Sequence, residues 1–359
     1  MLLLALAGGQ CEMEGCPEFI YQDILTKQKF NFGQYAHIIG DSPDGPRGDK
    51  TLSEEYCSDI NNIMLLCPKH HKMIDTLVKK YSVEGLRRMK KHHEDRVRRL
   101  LSIGKGNSST VLLYAANVGL QNSLISADEA YETVMHYNKY PSDDTPIEIG
   151  LVNSAIKDYK PSFWDVEREN LEANFEKLVA SRIAKHDIKS LSVFAIAPMP
   201  LLVNLGVLLS DKFGLDVYQL HKIPRSWEWQ ENNVQPYKIV SPEDKSGKPV
   251  MLFSLSAANR GRIERFYKGQ HVSIWQMTIP EPNNDYLRSQ AQLEEFKKLT
   301  RAMFEDINQT APTGEPIDVH MAMSVSCAVA LGMVRNGKAD RMLKLFDYNN
   351  GEDKYAFRI

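Results

Sequence analysis

The sequence lacks a long uninterrupted hydrophobic run. Its apolar N-terminal stretch, residues 1–7, has no basic n-region and is too short for a signal peptide, and Gln10 departs from a lipoprotein cleavage site. No later run approaches the roughly 18 residues of a membrane span. We therefore expect a cytoplasmic protein with no membrane partner, whose first residues form the last turns of a helix packed beneath the cysteine-containing segment that follows.

Cysteine is also scarce, with five among 359 residues. We assign three of them to a metal site, and we interpret Cys57 and Cys327 as structural thiols of a protein in a reducing compartment. The length and the 43% hydrophobic content are those of a globular protein with two or three domains.

A strong net charge is missing as well, but the formal charge of -2 conceals an asymmetry. Residues 68–103 hold eleven Lys and Arg against four Asp and Glu, so the rest of the chain carries a net charge of -9. A basic block next to a metal motif predicts a polyanionic partner.

Two pairs of metal-binding residues are present. Cys11 and Cys16 flank a short Gly-containing segment, and Cys67 and His70 form a second pair with the spacing C-x2-H. Three thiolates and one imidazole suit a closed tetrahedral zinc site. We predict one structural zinc ion bound by these four residues.

Three further residues follow in the order His37, Asn62, His71, and they suit phosphodiester hydrolysis. His37 ends an apolar approach, where a hairpin strand would present it as the general base that activates water. Asn62 would orient that ring or join a metal shell. His71 and Asp75, four residues apart on one helix face, can together bind a catalytic Mg or Mn ion that leaves positions open for phosphate.

This pattern resembles the zinc-containing HNH endonucleases, which have a ββα-metal, treble-clef-like fold and cut DNA. The resemblance covers about the first 100 residues, and it rests on seven positions: Cys11, Cys16, His37, Asn62, Cys67, His70 and His71. Many members carry an Asp or His ligand just before the base histidine, where this chain has Ala36, and we expect Asp75 to replace it. A zinc module that binds DNA without cutting it, with His37 in a structural role, is the alternative.

The organisation of the chain separates this module from a larger region. Residues 1–103 are predicted to end in a helix that starts near Ser82, residues 104–110 have linker composition, and residues 111–359 alternate strands with helices in an α/β pattern. The basic face of the helix is either solvated or in contact with DNA phosphates. The residues predicted to bind DNA are Arg87, Arg88, Lys90 and Lys91.

A weak internal repeat with an offset of 126 residues lies in the second region. The strand, loop and helix of residues 193–206 match those of residues 319–332, and each copy runs into a further strand, 215–220 or 342–346. Two such halves would pair about a pseudo-twofold axis, unless the similarity is chance. Because ligands of open α/β sheets bind beyond the carboxyl ends of strands, Pro198, Pro200, Ser324 and Ser326 are predicted to face one cleft.

The second region resembles the SAVED domain, which consists of two fused Rossmann-like (CARF-like) halves and binds cyclic oligonucleotides. An HNH module followed by SAVED is the layout of an effector nuclease of CBASS anti-phage defence. Aromatic side chains can stack on bases, cations can meet phosphates, and serine hydroxyls can bind either. The further candidate ligand residues are Lys222, Arg225, Trp227, Trp229, Arg260 and Tyr348. Strand alternation favours only one of Trp227 and Trp229 in the cleft, and core packing is the alternative for each.

The resemblances together predict a metal-dependent endonuclease that degrades double-stranded DNA when a cyclic di- or trinucleotide binds. A nuclease that cut without control would be toxic, which favours regulation. Cutting both strands of DNA favours a homo-oligomer. We expect at least a dimer, or a tetramer once the protein is activated. The alternatives are a restriction-type HNH nuclease with a DNA-reading C-terminal domain and a non-catalytic, ligand-responsive DNA-binding protein.

Overall fold

The computed structural model describes residues 1–23, 25–118, 125–150, 160, 162–210, 214–312, 314–349 and 351–359, with the side chain of Lys105 not described. The chain divides into two compact units, Met1–Gly106 and Asn107–Ile359. Within the described ranges, no helix has both the length and the apolar character needed to cross a membrane.

The first unit is a short hairpin surrounded by helices. Its elements are α1 (Leu2–Leu6), β1 (Gln34–His37), α2 (Leu52–Tyr56), a 3-10 turn (Ile60–Asn62), β2 (Ile63–Leu66), α3 (Pro68–Thr76) and α4 (Val83–Ser102). Strands β1 and β2 are antiparallel, with Gln34 opposite Leu66 and His37 opposite Ile63. The Ser82 hydroxyl accepts a hydrogen bond from the Gly85 amide, so the predicted helix start is confirmed.

The second unit is α/β. Its first half contains β3 (Ser108–Ala115), α5 (Ala127–His136), β4 (Tyr140–Pro141), β5 (Ile147–Ile149), α6 (Ser162–Phe175), a π-helical segment (Glu176–Ala180), α7 (Ser181–Ala184), β6 (Ser190–Ile196), α8 (Met199–Leu209) and β7 (Gly214–Val217). A small hairpin follows, β8 (His221–Lys222) and β9 (Arg225–Ser226). The second half contains β10 (Lys238–Val240), β11 (Lys248–Ser254), α9 (Arg260–Phe266), β12 (Val272–Thr278), α10 (Gln290–Thr310), β13 (Ile317–Ala322), α11 (Val325–Val334), β14 (Leu343–Asn349) and β15 (Glu352–Arg358).

Each half is built on a largely parallel sheet. The described strands of the first sheet run β4-β3-β6-β7, with β5 also on β3, and they pair in parallel. The second sheet runs β10-β12-β11-β13-β14-β15, and among its described strands only the edge strands β10 and β15 pair antiparallel. One large apolar cluster joins the two halves. The predicted mixed α/β organisation is confirmed.

Helices α8 and α11 carry the internal repeat, and they meet through equivalent glycines. A Cβ placed on Gly206 would lie 1.9 Å from the carbonyl oxygen of Val329, and one placed on Gly332 would lie 2.0 Å from that of Val203. The offset of 126 residues relates the two contacts to each other. The contact is therefore reciprocal, as expected for two halves about a pseudo-twofold axis. Strand β7 ends at Val217, earlier than predicted.

Replacing Gly206 by alanine is expected to lower the free energy of unfolding of the second unit by about 1–3 kcal/mol, because the added methyl group forces the two helices apart. Urea denaturation measures the effect. Gly214→Ala is the matched control, since a Cβ there meets no atom of the described residues closer than 3.7 Å. Equal destabilisation by the two substitutions would contradict a close helix contact at Gly206.

Candidate functional site

The four predicted zinc ligands lie together in the first unit. The side-chain donor atoms of Cys11, Cys16, Cys67 and His70 are all within 4.8 Å of one another. Nδ1 of His70 lies 3.2 Å from Sγ of Cys67 and 3.6 Å from Sγ of Cys11. In a tetrahedral site with Zn–S bonds of about 2.3 Å and Zn–N bonds of about 2.0 Å, sulfur and nitrogen are separated by about 3.5 Å. The donor set fits one such ion.

Local structure explains why these residues meet. Cys67 directly precedes α3, whose first residue is Pro68, and the first turn of that helix brings His70 back over the thiol. The amide of Cys67 donates to Sγ of Cys11 at 3.3 Å. Burial raises the pKa of Cys67 to about 11 and lowers that of His70. A bound cation would offset the cost of burying thiolates.

His37 stands at the end of β1, and its ring is held by a backbone carbonyl. Nε2 of His37 lies 3.0 Å from the carbonyl oxygen of Cys57. Because a carbonyl oxygen only accepts hydrogen bonds, Nε2 carries the proton and Nδ1 keeps its lone pair. This tautomer leaves one ring nitrogen able to accept a proton, as general-base catalysis requires.

Asn62 is buried and holds the loop after β1 in place. Its Oδ1 accepts from the amide of Ile39 at 2.9 Å, while its Nδ2 donates to the carbonyls of Ile39 and Tyr56. These backbone bonds occupy the side chain. The expectation that Asn62 joins a metal shell or orients the ring directly is therefore corrected: Asn62 fixes the backbone two residues beyond His37.

His71 and Asp75 share one face of α3, as predicted, and they have two further partners. Nε2 of His71 lies 3.3 Å from Oδ2 of Asp75, while Nδ1 lies 2.9 Å from Oε1 of Gln34. Since the Gln34 oxygen only accepts, Nδ1 is protonated and the lone pair of Nε2 points toward Asp75. An ion held by both atoms would suit this arrangement, because neighbouring donors around a Mg or Mn ion are about 3 Å apart.

Arg47 contacts both Asp75 and the backbone of His37, and the sequence did not predict it as a site residue. Its guanidinium is almost fully buried and donates to Oδ1 of Asp75 at 2.7 Å, as well as to the backbone carbonyls of His37, Ile38 and Ile74. Arg47 thus ties the loop after the general-base candidate to the helix that carries the metal-binding candidates. In the sequence it is marked only as the single arginine between His37 and Asn62.

The residues predicted to bind DNA separate along α4. Arg87 and Lys91 line a cleft of about 390 Å³ that also borders Asn62, whereas Arg88 lines a larger one beside Cys16. Lys90 requires a correction. Its side chain is 5% exposed and is paired with Glu94 at 2.5 Å and with Glu12 at 3.8 Å, so it supports the core of the unit.

Two of the predicted cleft residues in the second unit have their hydroxyls occupied internally. Ser324 caps α11 and lies 3.3 Å from the hydroxyl of Tyr286. Ser326 is fully buried, and its one hydroxyl proton is shared between Oε1 of Gln219 and the carbonyl oxygen of Tyr218, both 2.9 Å from its Oγ. Both side chains therefore hold the loop after β7 and the loop after β12 against α11, which corrects their prediction as groups facing an open cleft.

The prolines and tryptophans divide between core and surface. Pro198 and Pro200 are buried at the start of α8. Trp227 is 2% exposed and packs edge-on against Phe194, 5.0 Å between ring centroids, so its predicted stacking on a base is corrected to core packing. Trp229 is only partly buried. Of the two tryptophans, Trp229 thus stays available to a ligand. Strand alternation does not explain this difference, because residues two apart on a strand share a face and both tryptophans follow the end of β9.

The small hairpin presents two of the predicted cations. Lys222 and Arg225 face each other across β8 and β9, and both are exposed. Arg225 lies 3.3 Å from Glu129, a contact that contributes little at such exposure. Both groups are accessible to an anionic ligand.

The remaining candidates lie in the second half. Arg260 begins α9 and donates to Gln276 at 3.1 Å and to Glu264 at 2.8 Å. Tyr348 is 50% exposed, and the guanidinium of Arg262 lies 3.6 Å from its ring centroid. The Tyr348 face that meets Arg262 is therefore occupied in this structure.

One sequence family matches the chain. Its model, described as "SMODS-associated and fused to various effectors sensor domain" (SAVED), covers residues 171–359. The match begins inside α6, so residues 111–170, predicted as part of the same domain, lie outside the matched range. A comparison with curated proteins finds no match.

Several solved structures are similar in part. The Cap4 SAVED/CARF-domain containing receptor of Acinetobacter baumannii is 11% identical, with 86% of this chain and 64% of that chain covered and a TM-score of 0.43. The same receptor with the cyclic trinucleotide 2'3'3'-cAAA is 12% identical, with 86% of this chain and 65% of that chain covered and a TM-score of 0.42. The corresponding receptor of Moraxella osloensis is 10% identical, with 78% of this chain and 63% of that chain covered and a TM-score of 0.39. The chain spans less than two thirds of the length of each.

Proposed function

Because the chain belongs to the SAVED family of sensor domains, whose model matches more than half of it, we propose that it is a DNA endonuclease switched on by a cyclic oligonucleotide. The family description, a sensor fused to various effectors, is the observation that carries the sensor half. The first unit is then the effector. We place the protein in anti-phage defence, with the cyclic di- or trinucleotide as the signal.

The nuclease half rests on the residues around α3. Nδ1 of His37 is the proposed general base, held ready by the bond from Nε2 to the Cys57 carbonyl. His71 and Asp75 would hold a catalytic Mg or Mn ion, which supplies positive charge to the phosphodiester as it is attacked. Gln34 fixes the His71 tautomer, and Arg47 neutralises the second oxygen of Asp75 and fixes its position.

Cys11, Cys16, Cys67 and His70 would hold a structural zinc ion. Adjacent residues His70 and His71 then serve different metals, because the first turn of α3 points the His70 imidazole at the thiolates and His71 at Gln34 and Asp75. A closed four-ligand shell leaves no open position for substrate, which gives this zinc a folding role. Arg87 and Lys91, next to the Asn62 loop, are the proposed DNA phosphate contacts.

The proposal predicts that plasmid DNA is degraded in the presence of Mg only when a cyclic di- or trinucleotide from a panel is added. The same reactions with EDTA are the control, and gel electrophoresis follows the DNA. Degradation that every nucleotide leaves unchanged would contradict the sensor half. Discrete fragments would favour a restriction-type enzyme, and ligand-dependent DNA binding without cutting would favour the non-catalytic alternative.

A further inference from the structure

A buried histidine in the second unit has no hydrogen-bond partner for either ring nitrogen among the described residues. His221 begins the small hairpin and is 1% exposed. Both Nδ1 and Nε2 are buried and unpaired. The carboxylate of Asp285 lies nearby, with its Oδ1 4.0 Å from Nδ1. Leaving a buried polar group unpaired is costly, and such groups in folded proteins call for a ligand or water.

The position of His221 is where ligands of α/β sheets bind. It follows β7 by four residues, and Asp285 lies in the loop after β12, so both stand beyond the carboxyl ends of parallel strands. The two loops reach the same helix: Ser326 of α11 donates to the Tyr218 carbonyl, and Tyr286, next to Asp285, is bonded to Ser324. The carboxyl edges of the two sheets therefore converge at His221.

The surroundings of His221 contain both an aromatic ring and cations. Trp229 lies 6.1 Å away between ring centroids, at 75°, and it is partly exposed. The exposed Lys222 is adjacent in the chain, and Arg225 lies opposite it on the hairpin. Aromatic and cationic side chains in one place suit a nucleotide ligand.

The chemistry of the imidazole favours a base over a phosphate. Burial lowers the pKa of His221 and outweighs the opposite influence of Asp285, so the ring is neutral and offers one donor and one acceptor. A nucleobase edge carries both complementary groups, whereas a phosphate has only acceptors. The carboxylate of Asp285 would also repel a phosphate at this point.

We propose that His221 hydrogen-bonds to a nucleobase of the cyclic oligonucleotide and so determines which base the sensor accepts, while Lys222 and Arg225 meet the phosphates. This inference rests on the proposed sensor function. The ligand then supplies the hydrogen bonds that the described residues do not offer to His221.

The test replaces His221 by phenylalanine, which keeps an aromatic ring and removes both nitrogens. Binding of cyclic tri-AMP, cyclic di-AMP, cyclic di-GMP and cyclic tri-IMP to the full chain is measured by calorimetry. We expect affinity for the preferred nucleotide to fall about 10- to 100-fold, and the ratio between the tri-AMP and tri-IMP affinities to move toward one. The thermal midpoint without nucleotide should rise by about 2–6 °C, because unpaired polar atoms leave the core.

Two further variants make the outcome decisive. His271→Phe, at an exposed histidine just before β12, should leave both affinity and selectivity unchanged. His221→Gln, which keeps a donor and an acceptor, should retain more affinity than His221→Phe. Unchanged binding by His221→Phe overturns the inference. A lowered midpoint in both His221 variants, with base selectivity unaltered, assigns the residue a structural role and also overturns it. If the unaltered protein binds no nucleotide of a wider cyclic panel, the sensor function itself fails.

Discussion

His37→Ala is expected to reduce ligand-activated DNA cleavage by about 10²- to 10⁴-fold, the contribution that a positioned general base makes to hydrolysis. The reason lies in the tautomer. The Cys57 carbonyl keeps the proton on Nε2, so Nδ1 is the atom that would take a proton from the attacking water. Alanine removes that acceptor without touching the proposed ligands of either metal.

Initial rates on supercoiled plasmid, at saturating nucleotide and Mg, measure this loss. His271→Ala, at an exposed histidine of the second unit, is the matched control and should cut at the unaltered rate. Circular dichroism and nucleotide binding should be the same for both variants. Cleavage by His37→Ala at the unaltered rate would remove His37 from the mechanism, whereas failure to bind nucleotide would indicate a wider structural effect.

The candidate metal-binding residues of α3 could be grouped from sequence because their geometry is local. Cys67 and His70 lie within one helical turn, and the same turn sets His71 and Asp75 on a common face. Arg47 and Gln34 could not be predicted in the same way. Their contacts with α3 cross 28 and 37 residues, and only the folded loop brings the Arg47 guanidinium to Asp75.

The second unit shows the same division between local and long-range information. The strand, loop and helix order of both repeats follows from local patterns, and the structure confirms it. The environment of each side chain does not follow from them. The sequence predicts Ser326 as a cleft residue because it follows a strand. In the structure its hydroxyl is hydrogen-bonded to Gln219, which lies 107 residues earlier in the chain. The sequence likewise predicts Trp227 as a group that stacks on a base, but in the structure it packs edge-on against Phe194.

The roles of single residues were also reassigned by burial. Lys90 belongs to a basic run, so its sequence context resembles that of Arg87 and Lys91. In the structure it is one turn from Glu94 on the same helix and faces Glu12, which is 1% exposed. A buried acid in the cysteine segment needs a counter-charge, and Lys90 supplies it.

Cys67→Ser is expected to unfold the first unit and to abolish zinc retention. A structural zinc contributes about 10–16 kcal/mol in small zinc-dependent domains, which is comparable to the whole stability of a typical domain, about 5–15 kcal/mol. The first unit is built on two paired strands of four residues each and one small apolar cluster, in which Cys11 and Cys67 are themselves members. Loss of the ion would therefore leave these two core cysteines without the contacts that hold them together.

Plasma mass spectrometry should find about one zinc per chain in the unaltered protein and much less in Cys67→Ser. Proteolysis should then remove the first unit, while the second unit, which has its own core, still binds nucleotide. Cys57→Ser is the matched control, because this exposed thiol lies outside the cluster and should keep both zinc and nuclease activity. A Cys67→Ser protein that loses zinc but stays resistant to protease would show that the first unit folds without it.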